Sequence, residues 1–315
     1  MIKYILRRVL LLIPVMLIIS FFAFSLINLM PADAARIAAG ENAPRELIDA
    51  IREMMGLNYP FFVRYFRWLR DFILYQHLGY SLMSGWPVMT IVLAALPITF
   101  RIVFIATLVS VVIGIPIGII SAVKRYSIFD NIGMAFSIIG ISIPAFWQAL
   151  LLHMFILYLV RIGSLPHEVF AGRGDANFFS LLAALILGIS TSAIVARFTR
   201  SSMLEVIHQN YIKTARAFGK TEIRIVSKHA FKNVLIPIIT VVGLNFSVLL
   251  AGAIYSEIVF RLDGIGVLLV NAVRSRDYPL LMGAIVLVCL FFSVLNLLID
   301  ILYSFIDPRI RSQYK

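Results

Sequence analysis

Five histidines, one cysteine and scattered carboxylates are the groups in this chain that could do covalent or metal chemistry, and their spacing supports neither. His77, His153, His167, His208 and His229 stand far apart. No Ser/His/Asp arrangement, HExxH pair, CxxC or run of metal-ligand spacing is present. Gly219-Lys220-Thr221 matches the end of a phosphate-binding loop, but that motif needs glycine five residues before Gly219, where Thr214 stands. Cys289, a single thiol, excludes an intramolecular disulfide framework and reads as a small packing residue. What remains is non-covalent chemistry. Between Arg200 and Pro237 the chain carries Ser201-Ser202-Met203-Leu204-Glu205 and then Tyr211 to Gly219, a polar, basic insert between two long apolar runs. Ser202–His208 and Tyr211–Phe218 have helical character, and Gly219 is a natural terminator. The small side chains of Thr214, Ala215 and Ala217 let another protein's groove approach the backbone closely. Lys213, Arg216 and Lys220 can pair with acids around such a groove. The chemistry this insert offers is docking, and any energy source must lie in a partner.

The elements that position the insert are membrane spans. Of 315 residues, 61% are apolar and 14% charged, with a mean hydropathy of +0.96. That excludes an ordinary soluble domain, where about 25% of residues are charged. Six uncharged stretches are long enough to cross a hydrocarbon core of about 30 Å: 9–30, 102–123, 132–160, 176–196, 234–256 and 278–299. None alternates as a membrane barrel strand does, so the predicted fold is an all-α membrane protein with six transmembrane helices. With six spans, the termini and alternate connections share a side, and sixteen Lys and Arg fall there against Asp130, Glu205, Glu222 and Asp307. On the other side basic and acidic residues nearly balance. The excess of basic residues places both termini and the insert in the cytoplasm. The net charge of +12 is accounted for by topology and by attraction to membrane lipids, with no nucleic acid required. The apolar run after Lys3, Arg7 and Arg8 is 22 residues long, which favours an uncleaved anchor over a signal peptide ending near Ala32-Asp33-Ala34.

The expected organisation is a first helix over 1–30, an extracytoplasmic helical region over 31–97, a five-helix core over 98–308 containing the insert at 197–236, and a tail over 309–315. In the second segment Leu47, Ile48, Ile51, Met54 and Met55 recur at helical spacing after Pro44, with Gly56 at the end. Phe61 to Ile73 forms a second amphipathic pattern whose aromatic density suits the membrane interface. The segment 161–177 reads as a connector and 257–277 as a loop open to a soluble partner. Inside the spans only His153 and Asp300 are ionisable, which leaves a secondary transporter or channel without a coupling-ion site. His153, Trp147 and Asn245 are candidates for a translocation path, although His153 also fits simple packing between helices. Gly114 and Gly118, with Pro116 between them, permit close helix contact, and Pro144 interrupts the third span.

The order Gly114-Ile-Pro-Ile-Gly118, Ser142-Ile-Pro-Ala-Phe-Trp147, Ala196 to Glu205, Tyr211 to Gly219, Lys228 to Asn233, Arg276-Asp-Tyr-Pro279 and Asp307-Pro-Arg-Ile-Arg311 resembles the B-type permease subunit of dipeptide, oligopeptide and nickel ABC importers. Gly56 to Pro60 and Leu78-Gly-Tyr-Ser81 extend the resemblance over nearly the whole chain. It implies a type I ABC importer permease fold in a bacterial or archaeal cytoplasmic (inner) membrane. It also implies a second permease subunit in a heterodimer, two cytoplasmic ABC ATPases that bind ATP and Mg, and an extracytoplasmic solute-binding protein. No cofactor is expected in this chain, and it is not itself an enzyme. By resemblance, Lys213, Thr214, Ala215, Arg216, Ala217, Phe218 and Gly219 form the ATPase-coupling segment. The substrate implied is a short peptide, with nickel or metal-chelate complexes as the alternative. The chain departs from the general motif, which begins Glu-Ala-Ala where Lys213-Thr214-Ala215 stands here, and Lys232 occupies the place of a common proline.

Overall fold

A computed structural model describes residues 2–29, 34–40, 42–164 and 176–306. The segment read as a connector, including His167, the possible cleavage site and Asp307 to Lys315 lie wholly or partly outside these residues, as does the side chain of Asp300. Among the described residues the regular secondary structure is helical, apart from one isolated bridge between Tyr80 and Pro87. Five helices are long and apolar enough to cross a membrane, or six if one sharply bent pair counts as a single span. The contacts divide into two units, residues 1–97 with 263–297 and residues 98–262 with 298–315.

In the first unit, α1 (Ile2–Leu29) is the N-terminal span, followed by the short α2 (Ala34–Ala39). The amphipathic helices predicted after Pro44 and Pro60 are present as α3 (Arg45–Met54) and α4 (Phe61–Tyr75). Each proline takes the extended conformation just before its helix, and Gly56 turns the chain out of α3 at φ +65°. One face of α4 packs on α1 through Phe21, Phe24, Phe61 and Tyr65, whose rings meet edge to face. The Tyr65 hydroxyl is satisfied there, 3.0 Å from Ser20 Oγ and 3.3 Å from the Leu17 carbonyl. Then α5 (Val88–Val123) begins ten residues inside the segment assigned to the extracytoplasmic region. Its first turns join α12 (Ile265–Arg274) and α13 (Tyr278–Ile306) in a core around Leu78, Val88, Val92, Ala272, Leu281 and Ala284. The stretch 257–277, read as a loop, therefore holds a ten-residue helix between the last turn of α11 (Phe231–Phe260) and α13. Asp277 caps α13 and ties down a distant turn: its carboxylate accepts from Ser81 Oγ at 2.5 Å and from the backbone N–H groups of Leu82, Met83 and Leu280.

The second unit is a helical bundle in which glycines set the spacing. α6 (Ile128–Ser142) and α7 (Ala145–Arg161) replace the single third span, bent by 94° at Ile143-Pro144. Proline at 144 has no N–H to donate, and the residue before it is forced out of the helical region. The break is stabilised from the side: Gln148 Nε2 donates to the Ile143 carbonyl at 2.9 Å and reaches Ser190 Oγ at 3.3 Å. The central helix is α8 (Ala176–Ile207), which packs on α6, α7 and α11 (Phe231–Phe260). A Cβ built on Gly118 of α5 would fall 2.5 Å from the Ala196 carbonyl oxygen, and one on Gly114 2.7 Å from the Ser192 oxygen. The same test on Gly140 of α6 gives 2.7 Å to Ala193 Cβ. Helices that approach this closely gain dispersion and backbone contact without needing large side chains.

Candidate coupling segment

The polar insert is built as an outward extension of the spans, not as a loop of two free short helices. Ser202 to Ile207 is simply the last part of α8. A break at His208-Gln209 turns the chain into α9 (Asn210–Ala217), and Gly219 at φ +72° reverses it into α10 (Glu222–Arg224). A π-helical turn at Ile225–Ala230 then leads directly into α11. Such turns insert one residue into a helix and recur at functional sites.

One side of α9 is locked. Ile212 and Ala215 are buried with Met203, Ile225, Ala230 and Val234 in a common apolar cluster. Ala215, read from sequence as part of an exposed turn, therefore faces inward. Three polar links fasten the rest of the segment. Arg216 donates to both oxygens of Glu222 at 2.6 and 3.2 Å. Tyr211 Oη accepts from Asn233 Nδ2 at 2.6 Å, and Lys220 Nζ lies 3.1 Å from His229 Nε2. The Glu222 carboxylate holds the Arg216 pKa above the ordinary arginine value, chiefly by that hydrogen bond. Arg216 thus has an internal partner, where the sequence reading gave it only an external one. The other side of the segment is bare. Lys213, Thr214 and Ala217 are exposed, and Phe218 and Ile223 leave 78% and 83% of their surfaces uncovered on either side of Gly219. An exposed ring and an exposed isoleucine beside a fixed turn, with Lys213 and Lys220 nearby, form a small apolar patch with a basic rim.

The residues proposed for a path are separated. Trp147 and His153 lie on α7, six positions and roughly 240° of helical rotation apart, so they do not share a face. Trp147 is largely exposed, whereas the His153 ring is half-buried and meets Phe260 edge to face at 5.7 Å. Asn245 is buried on α11, and its Nδ2 has no hydrogen-bond partner among the described residues. Several polar residues escaped the sequence reading. Glu257, assigned to an outside loop, is fully buried in the last turn of α11 and accepts from Thr99 Oγ1 at 2.5 Å. Asp130 and Arg200 form a bidentate pair at 2.6 and 2.8 Å that joins α6 to α8. A carboxylate in the first turn of one apolar helix and an arginine near the end of another were the available signal for that pair.

Two helices of the second unit, α8 and α11, run past their apolar spans and are joined through a segment with one buried and one exposed side. Comparison with known proteins gives the family. Residues 114–312 match the binding-protein-dependent transport system inner membrane component, and residues 1–103 match the N-terminal region of such membrane components. A dipeptide transport system permease protein of Alkalihalophilus pseudofirmus is 37% identical over 99% of this chain and its own full length. A glutathione transport system permease protein of Pectobacterium atrosepticum is 39% identical over 99% of each chain. A putative peptide transport system permease protein of Brucella abortus is 38% identical over 98% of each. The chain belongs to the family of binding-protein-dependent transport system inner membrane components. It is a multi-pass, non-catalytic permease subunit of an ABC importer, and that membership implies ATPase and binding-protein partners.

Proposed function

We propose that this permease carries short peptides inward, with α9 and the Gly219 turn docked in a groove of a cytoplasmic ATPase. The observation that carries the docking role is the division of one short segment into a locked side and a bare side. Ile212, Ala215, Arg216, Tyr211 and Lys220 bind α9 to the base of α11, while Phe218, Ile223 and Lys213 are left for a partner. A displacement of α9 is then passed to α11 as a rigid movement, the kind of coupling that two-state transporters need. Peptide cargo is supported by the three relatives, whose names specify dipeptide, peptide and glutathione transport.

In this reading the chain pairs with a different permease subunit, two ATPases bind ATP and Mg, and a solute-binding protein delivers the peptide outside. The termini and α9 face the cytoplasm, in keeping with the excess of basic residues on that side. Asn245 is kept as a candidate for the path, its amide Nδ2 being buried on α11 without a hydrogen-bond partner among the described residues. Trp147, exposed on α7, is kept as a residue the substrate passes, whereas His153, packed on Phe260, is read as packing between helices unless its replacement alters substrate preference. The docking role is tested by placing a single cysteine at Phe218 in a Cys289→Ala background and cross-linking it to the ATPases of the assembled transporter. A nucleotide-dependent cross-link at Phe218, absent from a control cysteine at buried Ile212, is expected. Equal labelling of both positions, or none at Phe218, would refute it.

A further inference from the structure

In the first unit, a cavity of about 740 Å³ opens between α1, α3, α4 and the start of α13. It lies at the end of α1 remote from the N-terminus, the extracytoplasmic end in the orientation proposed above. Four arginines, Arg52, Arg64, Arg67 and Arg70, contribute to its wall. Two are neutralised within the chain: Arg52 lies 2.8 Å from Asp49, and Arg70 lies 2.7 Å from Asp71. The guanidinium groups of Arg64 and Arg67 have no carboxylate partner among the described residues. Aromatic rings stand against them instead, Phe24 at 5.8 Å from Arg64 and Tyr59 at 3.7 Å from Arg67. A ring face attracts the cation without occupying its planar fork of donors, so both groups can still receive an oxyanion. Burial pushes the Arg64 pKa down, so that charge is partly desolvated and gains the more from an anionic ligand.

The rest of the wall is of another kind. Trp68 and Met282 supply an indole and a thioether, the first half-buried and the second buried. Asn28 donates its Nδ2 to the Phe24 carbonyl at 2.7 Å, which leaves its amide oxygen as an acceptor. Small-molecule sites commonly enclose about 300–1,000 Å³ and combine apolar walls with a few placed polar groups, as this cavity does. An inorganic oxyanion would use the two arginines and leave Trp68 and Met282 without a role. A short peptide uses every part. Its C-terminal carboxylate is planar and matches a guanidinium fork, its N–H groups suit the Asn28 oxygen, and its side chains suit the indole and thioether.

We infer that this cavity is a peptide subsite on the outer side of the permease, in which Arg64 and Arg67 hold a C-terminal carboxylate while Trp68 and Met282 face the adjoining side chain. The inference rests on the peptide cargo and the orientation proposed above. None of the residues assigned to the translocation path belongs to it.

The test is equilibrium binding of radiolabelled alanyl-phenylalanine to the full-length chain in detergent micelles, with the unlabelled dipeptide, its C-terminal amide and inorganic phosphate as competitors. The free acid should compete at least about ten-fold better than the amide, and millimolar phosphate should not displace the label. R64Q/R67Q should weaken binding at least about ten-fold, and R67Q alone, at an exposed position, at least about three-fold. R45Q changes an exposed arginine of α3 outside the cavity and should leave binding as it was. A wild-type chain that does not bind the dipeptide would overturn the subsite, as would equal competition by the amide or displacement by phosphate. So would undiminished binding in R64Q/R67Q, or in R67Q if the double variant does not fold. Uptake of the same dipeptide by the assembled transporter, followed in parallel, separates the two readings. Uptake without binding to this chain removes the subsite and leaves the cargo, whereas binding without uptake removes the cargo and leaves the subsite.

Discussion

Replacing Gly118 by alanine adds one methyl group where the second unit has no room for it. The new Cβ would lie 2.5 Å from the Ala196 carbonyl oxygen and 2.5 Å from Thr199 Cβ, against 3.4 Å for the nearest ordinary contact. The shortfall is about 0.9 Å, and one of the atoms in the way belongs to the backbone of α8, so the helices themselves must separate. Overpacking of this kind costs about 1–3 kcal/mol and alanine regains ~0.5–1 kcal/mol over glycine within a helix; a clash that includes backbone sits at the upper end of the first range, leaving a net loss of roughly 2 kcal/mol. Gly114 makes the same contact one turn earlier, at 2.7 Å from the Ser192 oxygen. One separation of α5 from α8 relieves both clashes, so the double variant should lose less than the sum of the two singles. Gly252 is the control: its added Cβ would meet only Leu187 Cδ2 at 3.4 Å, and Gly252→Ala should be neutral or slightly stabilising. Unfolding of the purified chain in mixed micelles, followed by loss of helical circular dichroism, gives the values for the two singles, the double variant and the Gly252→Ala control. A Gly118→Ala chain as stable as the parent, or a double variant whose loss equals the sum, would refute the close α5–α8 contact as the source of stability.

Asp130→Asn removes one half of a pair whose carboxylate is almost fully buried, and should cost about 2–3 kcal/mol, below the ~3–5 for a wholly dry pair because Arg200 keeps some contact with solvent. Thermal unfolding beside Asp130→Asn/Arg200→Met checks this, since the double variant should recover part of the loss. Gln148→Leu leaves the Ile143 carbonyl unsatisfied at the 94° break and should cost about 1–3 kcal/mol by the same assay. His153→Phe should leave assembly intact and alter uptake little, because the ring already packs on Phe260; a large change in substrate preference would instead put His153 in direct contact with cargo. Arg216→Glu places two carboxylates side by side at Glu222 and should reduce recovery of ATPases with the purified permease, whereas undiminished recovery would show that the Arg216–Glu222 link is not needed to hold the docking turn.

Much of the architecture was readable because it follows from local rules. Pro44 and Pro60 precede helices, Gly56 and Gly219 end them at positive φ, and Gly114 and Gly118 mark a close contact. Pro144 announced an interruption, but its size depends on the Gln148 amide capturing the Ile143 carbonyl while also reaching Ser190 of α8, and nothing local to Pro144 specifies that. Glu257 and Asp277 were assigned to a solvated loop because charge at the end of a span ordinarily faces water. Both are fully buried, one against Thr99 and the other against Ser81, partners more than 150 residues away in sequence that no periodicity can reveal. Ala215 shows the limit at the docking segment. Small residues permit a partner's approach and permit burial equally well, and only the position of Met203 and Ile225 decides between them.

The account stands or falls on dependence upon an ATPase. The chain should be affinity-purified from its native membrane, its companions identified, and ATP hydrolysis measured with and without added dipeptides and tripeptides. Recovery of a second permease and ATPase subunits, with hydrolysis stimulated by peptide presented on its binding protein, is the predicted result. A chain recovered alone that moves solute across liposomes without ATP would contradict it.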